Sequence, residues 1–231
     1  MIEEIDFVTF LYISQNKYQI FVYDKINLKS LYKKELKINE EIDSSILLKF
    51  LDENIYKIEK IVSNFIKNII LVIENDKILN VNMTIKKKNY EKSLNQKNLE
   101  NYLTEVKDIF RENYQDQIIM HMIINDYNTN ENFSSLSNEV INNGYVYLEV
   151  NFISISNSFT TTFDKFLENY QIKISQFMSG LYIKSFYNED ETEPFVMANK
   201  LNNGFNKNEV RLVSKNIENK GFFEKFFQLF S

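Results

Sequence analysis

The sequence predicts a mixed α/β (α+β) fold, and three observations support this prediction. Short runs of alternating or continuous apolar residues, which are typical of strands, recur along most of the chain. Three amphipathic helices are interspersed with these runs. The chain has 231 residues, of which 44% are hydrophobic, so it can bury the core of one domain or of two small ones.

The first 85 residues are predicted to form an antiparallel meander, one helix and two further strands. Asp43 or Ser44 caps the helix, whose buried face is predicted to extend through Ile61 and Phe65 at helical spacing. The run NIILVI is apolar on both faces, which is typical of a central strand. The predicted elements are meander strands at 5–13, 17–23 and about 30–38, a helix at 44–65, and strands at 68–73 and 78–85.

The next block predicts a helix, two strands, a helix and a strand, which together make a small α+β unit. Its second helix carries Phe159, Phe163 and Phe166 at helical spacing, and this stripe is interpreted as core. Beyond Gly180 a short apolar segment and an acidic stretch precede residues 199–219, whose polar, aperiodic sequence predicts a linker interrupted by a brief apolar run at 210–213. The block's predicted elements are helices at 96–112 and 158–170 and strands at 117–125, 145–155 and 172–178.

Composition excludes several classes of site. Cysteine is absent, so disulfides, thiolate catalysis and Cys-based zinc sites are excluded. The four glycines are isolated, so no glycine-rich phosphate loop can form. A net charge of −5 argues against nucleic acid as a partner. We therefore predict no enzyme activity, no catalytic residue, no cofactor and no metal.

The C-terminal tail, residues 221–231, is the feature of the sequence that indicates a function most directly. Its apolar residues share one face of a predicted helix, with Glu224, Lys225 and Gln228 opposite. Such a segment at the end of a polar linker indicates a membrane-interface helix or a peptide that docks in a groove, and the alternative is a helix folded back into the core. The membrane-binding residues that we predict are Phe222, Phe223, Phe226, Phe227, Leu229 and Phe230.

Other polar features are interpreted as structural. His121 lies in the apolar run IIMHMII without an obvious acidic partner, so a partly buried structural histidine is expected rather than a base. The acidic stretch 189–193 lacks calcium-loop spacing and is expected to be a solvated loop. Lys86, Lys87 and Lys88 are expected to form a solvated turn. The N-terminus lacks the basic region of a signal peptide, and no apolar stretch approaches the length of a membrane span.

Residues 95–181 resemble FtsA, the actin-related bacterial cell-division family. LNQKNLENYLTEVKDIF followed by IIMHMIINDY is similar to the family's helix with a T-x-E-D-V-like start and its L-H-V-I-P-Q-E-Y strand. YLEVNFISIS resembles the L-E-V-x-V-H-I-V-T strand, and ENYQIKISQFMSGL resembles E-x-A-G-L-x-V-x-x-L. In the strand IIMHMIINDY, the residues at the positions of the family's motif are Met120, His121, Met122, Ile123, Asn125, Asp126 and Tyr127. Ile124 stands in place of the motif's proline.

The departures from the family concern its nucleotide site. The family's first phosphate loop reads D-I-G-S/T-x-K, whereas the corresponding place here reads YISQNK, from Tyr12 to Lys17. The aspartate and the glycine are missing, which removes a carboxylate and a close backbone approach to phosphate. The second loop, D-I-G-G-G-T, has no counterpart after Leu181. The resemblance therefore implies a shortened protein without ATPase activity.

The resemblance also implies an arrangement of domains. Residues 1–82 and 177–198 would form a partial actin-like, ribonuclease-H-like subdomain, with an SHS2-type insertion at 83–176 that mediates interactions. Residues 199–219 would be the linker, and 220–231 an amphipathic membrane-targeting helix.

The function implied is that of a non-catalytic cell-division adaptor in the cytoplasm, peripheral on the inner face of the cell membrane. Its partners would be division proteins, such as the tubulin-like ring protein or later components, and self-association is a further expectation. The alternative is a PilM-like or other actin-like scaffold component of a membrane assembly such as a pilus machine.

Overall fold

The computed structural model describes residues 5–38, 44–88, 96–128, 145–186 and 194–211. These ranges contain two β-sheets and five helices. The strands are β1 (Phe7–Ser14), β2 (Lys17–Asp24), β3 (Lys29–Lys37), β4 (Asn68–Glu74), β5 (Leu79–Lys88), β6 (Gln117–Asn128), β7 (Tyr145–Ser156) and β8 (Lys173–Ser179). The helices are α1 (Ser44–Val62), α2 (Gln96–Asn113), α3 (Asn157–Glu168), α4 (Gly180–Lys184) and α5 (Pro194–Asn202).

The first sheet has five strands in the order β3-β2-β1-β4-β8. The predicted meander is confirmed, because β1 pairs antiparallel with β2, and β2 with β3. The run NIILVI forms β4, which lies between β1 and β8 and is parallel to both. Five of its seven residues are buried, as expected of a central strand covered on both faces. Strand β2 is antiparallel to the other four strands of this sheet, which are parallel to one another.

Helices cover both faces of this sheet. On one face α1 packs against the meander, and the rings of Tyr18 and Phe50 lie 6.2 Å apart. Tyr170, just after α3, donates a hydrogen bond of 2.5 Å to Asp52 of α1, so α3 lies on the same side. On the other face α5 places Phe195 against β1 and β2. The mixed α/β fold class predicted from the sequence is therefore confirmed.

The second sheet has three strands in the order β5-β7-β6 and is covered by α2. The expected grouping of the last strand with this unit is wrong, because β8 pairs with β4 of the first sheet. The predicted boundaries at 83 and 176 consequently fall inside β5 and β8. Strand pairing over long sequence distances decides this grouping, and local periodicity carries no information on it.

The C-terminal part of the chain differs most from the prediction. Residues 199–202 are the last turn of α5, and residues 203–211 run back to the second sheet instead of forming a linker. There the Val210 amide donates a hydrogen bond of 2.7 Å to the Met122 carbonyl, and the Ile124 amide donates one of 2.9 Å to the Asn208 carbonyl. The prediction of a linker at 199–219 is wrong for 199–211, and its remainder lies outside the described residues.

Two local expectations also fail, each for a backbone reason. Helix α1 ends at Val62, and Ser63 takes a left-handed conformation with φ of 52°, so Phe65 lies on a turn and is 74% exposed. Ile61, predicted on the buried face, is also exposed. Lys86, Lys87 and Lys88 extend β5 instead of forming a turn, since β7 pairs along their whole length.

Candidate functional site

Three parallel strands end side by side at the carboxyl edge of the five-stranded sheet. Ser14 at the end of β1 is in register with Glu74 at the end of β4, and Ser179 at the end of β8 is in register with Ile73. Ligands of open α/β sheets bind at such an edge, outside the carboxyl ends of the strands. Residues 12–17, which correspond to the family's first phosphate loop, lie at this edge and include the turn between β1 and β2.

The polar groups of that turn pair with one another. Ser14 Oγ donates a hydrogen bond of 2.8 Å to Asn16 Oδ1 and lies 3.3 Å from the Lys17 carbonyl oxygen. The Asn16 carbonyl accepts a hydrogen bond of 2.8 Å from the Ile38 amide. The turn is thus closed by its own side chains and by the end of β3, in an arrangement that does not need a bound phosphate.

Glu74 is the carboxylate at the end of β4 on this edge, and two side chains of the same chain donate hydrogen bonds to it. Tyr12 donates its hydroxyl to Glu74 Oε2, and Lys184 Nζ lies 2.9 Å from Glu74 Oε1. Gly180 permits the close approach of α4, because a Cβ atom there would lie 3.0 Å from the Glu74 Cβ. Glu74 therefore joins β1, β4 and α4, and its negative charge is balanced by Lys184.

A buried polar cluster lies beside this edge and joins three parts of the chain. His121 of β6, Tyr182 of α4 and Glu209 of the C-terminal segment meet there. His121 Nδ1 lies 2.8 Å from Glu209 Oε1, and Tyr182 donates its hydroxyl to Glu209 Oε2 at 3.2 Å. The side chain of His121 is 0% exposed and that of Glu209 is 5% exposed. We call His121, Tyr182 and Glu209 the His–Tyr–Glu cluster.

A backbone group sets the tautomer of His121. The Ser179 amide donates a hydrogen bond of 2.9 Å to His121 Nε2, so this nitrogen must be unprotonated. His121 Nδ1 then carries the proton and donates it to Glu209. The histidine thus joins the two sheets and is fully buried, whereas a partly buried side chain was expected. The expectation that it lacks an acidic partner is wrong, because Glu209 pairs with it.

Asn206 and Arg211 surround the cluster. Asn206 Nδ2 donates a hydrogen bond of 2.7 Å to the Tyr182 hydroxyl, and Arg211 Nη2 lies 4.0 Å from Glu209 Oε1. Arg211 also donates a hydrogen bond of 2.8 Å to the Asn202 carbonyl at the end of α5. The sequence signal that could have revealed this packing is the brief apolar run beginning at Val210, which follows Glu209 directly.

Burial and the negative charge of Glu209 raise the pKa of Tyr182 well above its usual value near 10. The neutral phenol is therefore favoured in the folded state, and its contribution to stability is complete below about pH 10 and declines as the pH rises above that value. We expect the free energy of unfolding to fall by up to about 1.4 kcal/mol per pH unit above pH 10 from this residue alone. Urea titrations of the wild type and of Tyr182→Phe at pH 9, 10 and 11 would measure this dependence of the free energy of unfolding on pH.

The Tyr182→Phe variant lacks this ionisation, so its stability deficit relative to the wild type should shrink between pH 10 and pH 11. A deficit that stays constant over this range would contradict the expected effect.

Some of the other predicted features lie within the residues that the structure describes, and the rest lie outside them. Phe163 is buried, while Phe159 and Phe166 pack against the core, so their interpretation as core is confirmed. The acidic stretch 189–193 and the predicted membrane-binding residues of the tail lie outside the described residues. Within the described ranges, no group of three His, Asp or Glu side chains could hold a metal ion, and no helix has both the length and the apolar character needed to span a membrane.

Comparisons with known proteins bear on the fold alone. No protein-family model matches the chain, and no curated protein matches it. Among solved structures it is similar to a Bacteroides thetaiotaomicron protein with an actin-like ATPase fold and unknown function, with 17% identity and a TM-score of 0.33 over 80% of this chain and 58% of that one.

Two proteins of secretion and pilus systems are also similar to this chain. The cytoplasmic domain of EpsL, from the type II secretion system of Vibrio cholerae, is 8% identical, with a TM-score of 0.38 over 77% of this chain and 57% of that one. A chain of the PilM–PilN type IV pilus biogenesis complex is 10% identical, with a TM-score of 0.44 over 76% of this chain and 49% of that one. The chain thus spans only about half to three fifths of these structures, and at such identities no function follows from the likeness.

Proposed function

We propose that this chain is a non-catalytic, FtsA-like cell-division adaptor, attached peripherally to the cytoplasmic face of the membrane and linking division proteins. The observation that carries the proposal is the pairing of Glu74 with Tyr12 and Lys184 at the carboxyl edge of the sheet. An actin-like ATPase would need this edge for its nucleotide. Here the carboxylate is already neutralised, and the neighbouring turn is closed by Ser14 and Asn16.

The chemistry of phosphate binding supports the non-catalytic part of the proposal. A nucleotide with its magnesium ion needs several backbone N–H groups aimed at phosphate and a carboxylate available to the metal. Freeing Glu74 would leave Lys184 without its carboxylate, and both side chains are less than 40% exposed. The edge therefore suits a scaffold that keeps one arrangement rather than a site that opens and closes around ATP.

The second sheet, β5-β7-β6 with α2, is the part proposed to contact other proteins. It has its own apolar core, and it is held to the first sheet through the His–Tyr–Glu cluster. It corresponds to most of the SHS2-type insertion implied by the resemblance. The alternative is a PilM-like scaffold of a pilus machine. The paired side chains at the carboxyl edge are compatible with both functions, so the identity of the bound partner must distinguish the two.

The membrane part of the proposal is tested in the full chain with Phe223→Ser, Phe226→Ser and Phe227→Ser combined. We expect the wild type to float with vesicles of phosphatidylcholine and phosphatidylglycerol, and this variant to float at least tenfold less, since three apolar side chains leave the bilayer. The matched control replaces three exposed apolar side chains outside the tail and the core, Tyr56, Leu181 and Phe205, by serine. Equal flotation of the tail variant and the wild type would overturn tail-mediated attachment.

Calorimetry and co-purification complete this test. Titration with Mg-ATP should give no binding tighter than about millimolar, and a tighter value would overturn the non-catalytic assignment. Recovery of division proteins with the tagged chain would support the cell-division role, whereas recovery of pilus proteins would favour the alternative.

A further inference from the structure

The two sheets have four edge strands, and three of these are interrupted or covered. In the first sheet, β3 is rich in lysine, and its pairing with β2 shifts register between Val22 and Tyr23. Strand β8 shifts register against β4, and the Ser179 amide at its end is bonded to His121. In the second sheet, residues 208–210 pair along β6. Bulges, lysines and covering segments of this kind protect sheet edges from other strands.

Strand β5 lacks such protection over most of its length. It pairs with β7 from Leu79 to Lys88 without a shift of register, and no residue that the structure describes pairs with its opposite side. Its first seven residues, LNVNMTI, include no charged residue, proline or glycine. The backbone N–H and C=O groups on the outer side of these residues can therefore pair with a further strand. We call residues 79–85 the β5 edge segment.

The side chains of the β5 edge segment alternate between the two faces of the sheet. Apolar side chains that pack against the core beneath α2 are only half-buried, namely Val81, Met83 and Ile85. Polar side chains on the opposite face are exposed, namely Asn80, Asn82 and Thr84. A strand added beside β5 would cover the half-buried apolar side chains from the edge, provided that its own pattern matches.

The β5 edge segment matches itself in the antiparallel direction. Its pattern is symmetric about Asn82, so antiparallel pairing of two copies places Val81 of one copy opposite Met83 of the other. The four apolar side chains of each copy then meet apolar side chains, and the three polar ones meet uncharged polar ones. A slip by one residue would set apolar side chains against polar ones, so the pattern specifies the register.

The charges at the two ends of the segment favour antiparallel over parallel pairing. Lysines occupy 86–88 after the segment, and Asp76 and Lys77 precede it. Parallel pairing would place the lysines of both copies side by side. Antiparallel pairing about Asn82 separates equivalent lysines by at least about 27 Å along the strands, which is well beyond the screening length of about 8 Å at physiological salt.

Two acidic side chains on the elements beside the segment are engaged within the same chain. Glu105 of α2 pairs with Lys87. Glu149 of β7, which is in register with Thr84, accepts a hydrogen bond of 3.1 Å from Asn125. These carboxylates do not lie between the paired segments of two copies, so they do not oppose the contact.

We propose that the β5 edge segment is a self-association surface, through which two copies of this chain join their three-stranded sheets into one six-stranded antiparallel sheet. The occupant of the edge is the same segment of a second copy, related by a two-fold axis beside Asn82. Seven paired residues extend over roughly 23 Å, and both α2 helices lie on the same face of the joined sheet. The inference rests on the proposed function only in assigning protein contacts to the second sheet.

The first test changes the charges that would face each other across the two-fold axis. Asn80 of one copy lies opposite Thr84 of the other, so Asn80→Lys with Thr84→Lys sets lysine against lysine twice. Asn80→Lys with Thr84→Glu sets lysine against glutamate twice. Sedimentation velocity at concentrations up to about 100 μM should show a wild-type dimer, dimerisation about tenfold weaker in the first variant, and recovery in the second.

The matched control for this test is Asn101→Lys with Thr104→Lys, which makes the same two substitutions at exposed positions of α2. It should dimerise like the wild type. A monomeric wild type, or equal weakening in the control, would overturn the inference. Weaker dimerisation with Thr84→Glu than with Thr84→Lys would also overturn it, because parallel pairing sets like charges together in the Thr84→Glu variant.

The second test uses the absence of cysteine from the chain. Asn82→Cys places one thiol from each copy beside the two-fold axis, so a short bismaleimide should link two chains. Tyr56→Cys, at a 72% exposed position of α1, is the control and should give no linked dimer. Linked dimer at both positions in equal yield, or at neither, would overturn the inference.

Measurements of folding and binding separate this inference from the proposed function. If Asn80→Lys with Thr84→Lys lowers the melting temperature of a chain that is monomeric throughout, residues of the chain itself cover the edge, and the inference is overturned. A wild type that is monomeric but binds vesicles and division or pilus proteins overturns the inference alone. A wild type that dimerises through β5 but binds neither supports the inference and overturns the proposed function.

Discussion

Replacing Glu209 by alanine is expected to lower the free energy of unfolding by about 3 kcal/mol, which corresponds to a fall of roughly 6–12 °C in melting temperature for a chain of this size. The carboxylate accepts hydrogen bonds from His121 Nδ1 and from the Tyr182 hydroxyl, and its side chain is 5% exposed. Its removal leaves a buried N–H donor without an acceptor and empties the volume of the side chain. Thermal and urea unfolding followed by circular dichroism measure this loss.

Two variants control this result. Glu209→Gln keeps an acceptor for His121 and should lose less than half as much stability as Glu209→Ala. Glu105→Ala removes an exposed pair with Lys87, whose side chains are 43% and 36% exposed, and should cost less than about 1 kcal/mol. If Glu209→Ala unfolds like Glu105→Ala, residues 203–211 do not pack against β6 as described.

Replacing Phe195 by alanine is expected to cost about 3–5 kcal/mol, the usual range for a buried phenylalanine. Phe195 is 1% exposed, and its ring stacks on that of Phe21 at 4.7 Å with an interplanar angle of 6°. The rings of Phe10 and Tyr12 lie 6.1 Å and 6.3 Å away. The substitution therefore opens a cavity between α5 and the sheet and uncovers β1 and β2 on that face.

The matched control is Phe205→Ala, because Phe205 follows the same helix but is 53% exposed. This variant should change stability by about 0.5 kcal/mol or less. Urea unfolding of both variants, with the slope of the transition compared with that of the wild type, measures the two costs. Equal costs would contradict the docking of α5 on the first sheet.

Local patterns were sufficient for the regular elements up to β8. The eight strands and the helices α1, α2 and α3 follow from periods of two and of 3.6 residues, and most ends agree with the structure within about three residues. The end of α1 was missed because the apolar spacing continues through Phe65, whereas the backbone turns at Ser63. Helix α5 was missed because a run of Asn and Lys after it resembles a linker in this Asn-rich and Lys-rich sequence.

The candidate site depended on contacts that local patterns do not contain. His121 and Glu209 are 88 positions apart, and Glu209 lies in a stretch without periodicity. The loss of the phosphate-loop residues was visible in the sequence, but the pairing of Glu74 with Lys184, 110 positions away, was not.

By itself, the sequence determined the mixed α/β class, the order of the strands and helices through β8, and the absence of cysteine chemistry and of a glycine-rich phosphate loop. These properties follow from composition and from the spacing of neighbouring residues, which act locally along the chain. The tertiary structure alone decided that β8 joins the first sheet, that residues 203–211 return to β6, and that Glu209 is buried against His121. Such contacts join residues distant in the chain, and their free energy depends on burial and geometry that exist only after folding.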